Sequence, residues 1–193
     1  MSQRLKLKEK AEDYPHQLLL SATPIPRTMA MGVLSGLDIS TIKSLPPNRT
    51  PIITTTLPNN RRDALINRIK SAINKNSQVY WVCPLIDESE SELIGIEDLE
   101  KILKKEFDSQ DYEIIHGKMK DMDKQKILSD FKEKKTKILL ATTVIEVGID
   151  VPDANIMVIE NSERFGLAQL HQLRGRVGRG EKESFCILMH NDS

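Results

Sequence analysis

Arg174, Arg176 and Arg179 stand within six residues of one another in this 193-residue chain, separated by Gly175 and Gly178. A guanidinium keeps its charge at any physiological pH and presents a planar fork of donors that matches phosphate oxygens. Glycines between such residues let the backbone come close to whatever the arginines meet. Together they are chemistry for a phosphate. A solvated basic helix end is the plainer alternative, since cations suit a helix C-terminus. The order Gln-x-x-Gly-Arg-x-x-Arg, from Gln172 to Arg179, is more specific than a basic run and favours the phosphate.

Other segments carry weaker signals. Thr142 and Thr143 follow the apolar run 138–141, where hydroxyls and backbone N–H groups can bind a phosphate. His116-Gly117-Lys118-Met119 stands between an apolar run and a helical pattern, and His116 reads first as part of that turn. Asp150, just before Val151-Pro152, reads alone as a turn residue. The four histidines, at 16, 116, 171 and 190, lack ligand spacing, so no metal site is expected. Trp81, in Tyr80-Trp81-Val82-Cys83, reads as core, and Cys83 and Cys186 read as buried thiols.

The elements that must hold these residues come from periodicity. Residues 1–16 are a polar, Lys-rich lead-in. A short strand is expected at 17–22, a helix through 27–31 and an extended piece at 38–44. Pro46-Pro47-Asn48-Arg49-Thr50-Pro51 has linker chemistry. Beyond it the pattern predicts strands at 52–57, 79–84, 112–115, 137–141, 156–160 and 185–190. Helices are expected at 61–74, about 96–107, 120–134 and around 167–173. Strands alternating with such helices give an α/β fold with a parallel sheet covered on both faces. Ligands of such sheets sit beyond the carboxyl ends of the strands, here the loops near Pro84, His116, Thr142 and Asn161.

Composition narrows the class. Hydrophobic residues make up 39% and charged residues 29%, and Lys+Arg equals Asp+Glu at 28 each, so the net charge is zero. A free-standing nucleic-acid binder usually shows a basic surplus. The start of the chain is mostly charged and reads as no signal peptide. No apolar run approaches the ~20 residues that span a bilayer, so no membrane partner and a cytoplasmic location are expected.

Residues 171–180, reading HQLRGRVGRG, resemble motif VI of superfamily 2 helicases and translocases. The resemblance implies that Arg176 and Arg179 point at ATP phosphates and stabilise phosphoryl transfer, with Gln172 helping to place them. Residues 141–150, reading ATTVIEVGID, resemble motif V. That implies Thr142 and Thr143 on the nucleic-acid backbone, Gly148 and Asp150 on the nucleotide, and Glu146 between the two. Ser21-Ala22-Thr23-Pro24 resembles motif III, whose Ser21 and Thr23 would couple ATP state to the strand. His116, Gly117 and Lys118 match a loop that contacts the backbone in that family.

Longer stretches, 22–28, 45–51, 80–86 and 165–176, are similar to a bacterial branch of the superfamily that moves on double-stranded DNA. That branch remodels stalled replication forks and Holliday junctions in repair and recombination. Transcription-repair coupling translocases share the first and last stretches. The implied fold is a RecA-like helicase C-terminal domain at 48–193, holding motifs IV, V and VI. Residues 1–47 are then the remnant of motor domain 1 and a linker. The implied cofactor is ATP with Mg²⁺. Neither a G-x-x-x-x-G-K-[ST] loop nor an acidic box occurs in these 193 residues. The expectation is therefore a motor fragment, inactive alone, whose partners include the first RecA-like domain and a wedge-type DNA module. Two other readings stay open: a self-contained α/β module with its own phosphate pocket, and docking surfaces formed by the charge runs at 88–92 and 132–137.

Overall fold

Where both faces of a strand are covered, the sequence has no reason to alternate, and three runs of this chain do not. These are β2 (Gln78–Cys83), β4 (Ile138–Thr142) and β5 (Ala154–Ile159), each buried along its whole length. They form the middle of a six-stranded sheet with β1 (Ile52–Pro58), β3 (Tyr112–Ile115) and β6 (Ser184–His190). The order is β1-β6-β5-β2-β4-β3 and every pair is parallel. β1, an edge strand, leaves Ile53 and Thr54 to Thr56 exposed and ends at Pro58. A proline is tolerated there because an edge strand can spare a donor.

The computed structural model describes residues 18, 40, 42, 50–84, 92–142, 151, 153–180 and 182–191, with residues 92–95 as backbone only. The chain divides into compact units at 1–40 and 41–193, and every element named here belongs to the second. The strand, helix and extended piece expected between 17 and 44 lie outside the described residues, as does the expected boundary at 47/48.

Four helices connect the strands among the described residues: α1 (Arg62–Ile73), α2 (Glu92–Glu106), α3 (Asp121–Lys132) and α4 (Leu167–Arg174). In α1, Leu65, Ile66, Ile69 and Ile73 fall on one stripe and are buried. With Ile96, Leu99 and Leu103 of α2 they cover one face of the sheet, against Val79, Trp81 and Cys83. Phe131 of α3 and Leu173 of α4 cover the other face, against Tyr80 and Val82. Phe131 and Tyr80 meet with ring centroids 5.2 Å apart. This division follows from handedness. The chain steps one way from β1 through β2 to β3, then turns back through β4 and β5 to β6. Right-handed crossovers must change face when the direction reverses.

All ten elements expected between 52 and 190 are present. The largest displacement is α2, which starts at Glu92, carries Gly95 inside it and so precedes its expected start. An acidic residue suits a helix N-terminus.

Trp81, Cys83 and Cys186 are core residues, as their neighbours in sequence imply. Burial pushes the Cys83 thiol up beyond any physiological pH; the charge of Glu160 adds to this and that of Arg62 opposes it. Burial likewise raises Cys186 to about 11, against a pull from Arg174. Only a thiolate attacks a disulfide reagent. At about pH 8 the native chain should therefore show almost no reactive thiol. In denaturant both cysteines should react at once, as a colorimetric thiol count would reveal.

Candidate nucleotide and nucleic-acid surfaces

The arginine segment stands at the edge of the sheet where strands begin. β5 ends at the carboxyl edge, the turn 160–166 follows, and α4 runs back across the sheet. The Gly166 N–H donates to the Gln169 side chain (3.2 Å), which fixes the helix start. At the far end the N–H groups of Gly175 and Arg176 donate to the carbonyls of His171 and Leu173. Val177 is then fully buried and Gly178 lies against the first residues of β1 and β6. Arg176 is half-buried, whereas Gln172 and Arg179 are exposed. These arginines therefore lie at the amino edge, because a parallel connection has to cross the sheet and α4 takes them with it.

The two glycines are not equivalent. Gly175 has φ −68°, which any residue adopts, and a Cβ there would sit 3.4 Å from the Gln172 carbonyl oxygen. Gly178 has φ +75°, and a Cβ there would meet Ile52 Cγ1 at 2.8 Å. Close backbone approach, expected of both, belongs to Gly178. It seats the loop on the sheet between Arg176 and Arg179.

The opposite, carboxyl edge gathers a second set. Ile115 pairs with Ala141, so His116 and Thr142 follow one another across neighbouring strands. Thr142 is fully buried, and its Oγ1 has no hydrogen-bond partner; neither has Nδ1 of the half-buried His116. Unpartnered buried polar atoms are rare and costly, and side by side they suit an external donor or acceptor. The turn beside them is braced, with Lys124 Nζ on the Gly117 carbonyl at 2.9 Å and the Met119 N–H on the His116 carbonyl at 3.2 Å. Lys118 is exposed on it. Thr143, Glu146, Gly148, Asp150, Ser21 and Thr23 lie outside the described residues.

Between the two halves of the carboxyl edge stands a cluster that motif reading missed. Glu160 is the first residue after β5, and its side chain is 4% exposed. It accepts hydrogen bonds from Arg62 Nη1 (2.5 Å) and Nη2 (2.8 Å), and from Trp81 Nε1 (2.8 Å). Burial works against the Arg62 charge, but the bonds and charge of Glu160 outweigh it, so the Arg62 pKa moves up. The network continues over the surface. Asn59 Oδ1 accepts from Arg62 (3.3 Å), Asn59 Nδ2 donates to Asn191 (2.6 Å), and Asn191 Nδ2 donates to Glu163 (3.1 Å) and Asn161 (3.4 Å). The one sequence signal was an acid closing the apolar run 156–159; its partner lies 98 residues away.

Comparison with known proteins agrees with this fold. The family model for the helicase conserved C-terminal domain matches residues 51–181. The ATP-dependent DNA helicase RecG of Pasteurella multocida is 53% identical over 97% of the chain, and that of Escherichia coli K12 is 50% identical over the same share. In each case the chain spans 28% of the relative's length. The solved structure of RecG bound to a three-way DNA junction matches with TM-score 0.72 and 39% identity, over 94% of this chain and 25% of that one. Yeast Dbp5 bound to RNA and ADP BeF3 matches at TM-score 0.67 and 18% identity, over 100% of this chain and 49% of that one, and shows the fold alone. The bacterial branch of the superfamily that the longer stretches pointed to is the one these relatives, named RecG, represent.

Two outcomes follow for stability. Gly178→Ala should cost about 1–3 kcal/mol in urea unfolding, as a strained backbone with a clash does, while Gly175→Ala should be close to neutral. Glu160→Ala should cost about 1.5–3 kcal/mol, because the part-buried Arg62 and the buried indole N–H of Trp81 lose a charged acceptor. Equal effects at the two glycines, or a Glu160→Ala chain as stable as the parent, would contradict these assignments.

Proposed function

The chain belongs to the helicase conserved C-terminal domain family, and from that premise we propose that it is the second motor domain of a RecG-type, ATP-driven translocase on double-stranded DNA. The observation that carries this reading is the separation of two phosphate-directed groups to opposite edges of one parallel sheet. An arginine loop stands at one edge, and unpartnered Thr142 and His116 stand at the other. A motor needs such a division, because the fuel and the track must touch the same body at different places.

At the amino edge Arg176 and Arg179 would meet the ATP phosphates and stabilise the charge that develops on them, with Gln172 orienting the pair. Gly148 and Asp150 would line the same side. ATP, bound with Mg²⁺, supplies the phosphoryl transfer that drives movement, and the Mg²⁺ ligands would come from residues outside these 193. At the carboxyl edge Thr142, Thr143, His116, Gly117 and Lys118 would hold the DNA backbone, and Ser21, Thr23 and Glu146 would couple the two events. Residues 1–47 would then be the tail of motor domain 1, and residues 48–193 the second RecA-like domain with motifs IV, V and VI. The intact protein would act in the bacterial cytoplasm on forks and Holliday junctions, with a first RecA-like domain and a wedge domain as its other parts.

The test is a chimera in which these 193 residues replace the matching segment of the Pasteurella multocida relative. Its ATP turnover should rise on addition of forked DNA. Arg179→Ala should lower kcat by about 10³-fold, the scale of a lost arginine finger. Thr142→Val should instead raise the DNA concentration needed for half-maximal stimulation. Full turnover in the Arg179→Ala chimera would sink the reading. The 193 residues alone should neither hydrolyse ATP nor bind an ATP analogue in calorimetry. Micromolar binding there would favour the self-contained module.

A further inference from the structure

We infer that Arg62, Glu160 and Trp81 form a positioning element, which holds the turn at the head of α4 and so sets how the arginine loop at its foot responds to DNA. This deepens the function proposed above and rests on it. Glu160 occupies the place where connections from adjacent strands part. The chain leaving β2 goes to α2 on one face, and the chain leaving β5 goes to α4 on the other. In a doubly wound sheet that crevice is where a ligand is expected. Here the protein fills it with its own ion pair, and Arg62 occupies both carboxylate oxygens.

Stability alone is a poor account of such a pair. Withdrawing two charges from water costs about as much as their attraction returns, and apolar replacements are often as stable. Bidentate geometry with a third donor from Trp81 fixes direction as well as distance. Asn161, the next residue, has φ +45°, a left-handed conformation that persists where its surroundings over-determine it. Its side chain is tied through Asn191 to Asn59, and Asn59 to Arg62, so the chain ends beyond β1, β6 and β5 are linked in one hydrogen-bonded network. On the other side of β2 the same edge leaves Thr142 and His116 unpartnered. The edge thus has one half whose polar groups are paired with one another and one half in which two polar atoms have no hydrogen-bond partner. α4 starts from the paired half, and its last turn leads directly into Arg176 and Arg179. A helix of eight residues is stiff, so fixing its head fixes its foot.

The chimera described above distinguishes this from a purely structural role. The double variant Arg62→Met/Glu160→Gln removes both charges together and leaves an acceptor for Trp81 Nε1. It should keep the parent's melting temperature, forked-DNA affinity and DNA-independent ATP turnover, yet lose about tenfold in the stimulation of turnover by DNA, the scale of an ordinary coupling. Asn191→Ala, on the exposed part of the network, should lose several-fold of the same stimulation without unfolding anything. It decides the matter should the double variant melt early. In the 193-residue chain the single indole N–H resonance, from Trp81, should move in Glu160→Gln. Parental DNA stimulation in these variants overturns the inference, provided that Arg179→Ala abolishes turnover. If Arg179→Ala leaves turnover intact, the proposed function itself has failed and this inference falls with it.

Discussion

Every described strand runs parallel to its neighbours, so each described connection must carry the chain from the carboxyl edge back to the amino edge before the next strand begins. That constraint decides where chemistry can sit. A residue just after a strand lands at the carboxyl edge, and one just before a strand lands at the amino edge. Right-handed crossovers then settle which face each helix covers. β2, β4 and β5 are consequently sealed on both faces.

The edges themselves are built differently. At the amino edge, charges from separate loops hold the backbone together. Asp153 takes Lys134 at 2.8 Å and Lys182 at 3.8 Å, and Lys182 also donates to the Asn76 carbonyl at 2.7 Å. Lys134 hydrogen-bonds Asp153 and holds its carboxyl below the usual range. These are exposed pairs and individually weak. Their effect is to brace the loops beside the point where Gly178 seats the arginine segment. At the carboxyl edge the strongest contact is the part-buried pair of Arg62 and Glu160, and loss of Arg62 would leave a carboxylate that is only 4% exposed with Trp81 as its one described partner.

Much of this was legible from local pattern. Continuous apolar runs gave β2, β4 and β5, and the spacing of Leu65, Ile66, Ile69 and Ile73 gave α1 to within a residue. The likeness of 171–180 to a helicase motif named the family that the domain model then matched. What was not legible shares one cause, which is distance along the chain. That Gly178 and not Gly175 needs to be glycine depends on Ile52, more than a hundred residues earlier. That Glu160 is satisfied rather than stranded depends on Arg62 and on the indole of Trp81, whose sequence neighbours say only that it is core. The edge at which Arg176 and Arg179 stand was not legible for a related reason. α4 carries that segment away from the strand it follows, and the contacts of Gly178 with Ile52 and Ser184 show where it arrives.

On the proposed reading, the separation of the two surfaces has a mechanical consequence. If nucleotide and DNA met the same edge, a small shift of one loop could link them. With the sheet between them, the link must pass through an element that reaches both edges. The core of β2, β4 and β5 is close-packed and deforms little, so the sheet itself is a poor candidate. α4 is a better one. It lies on the sheet's outer face, buries Leu173 fully and Leu170 only in part, and leaves Leu167 86% exposed at its head. A helix so lightly buried is free to tilt unless its ends are pinned; Val177 and Gly178 hold its foot, and buried Phe165 together with the polar contacts around Glu160 and Asn161 holds its start. Coupling would then depend less on how tightly α4 packs than on how well the turn before it is held.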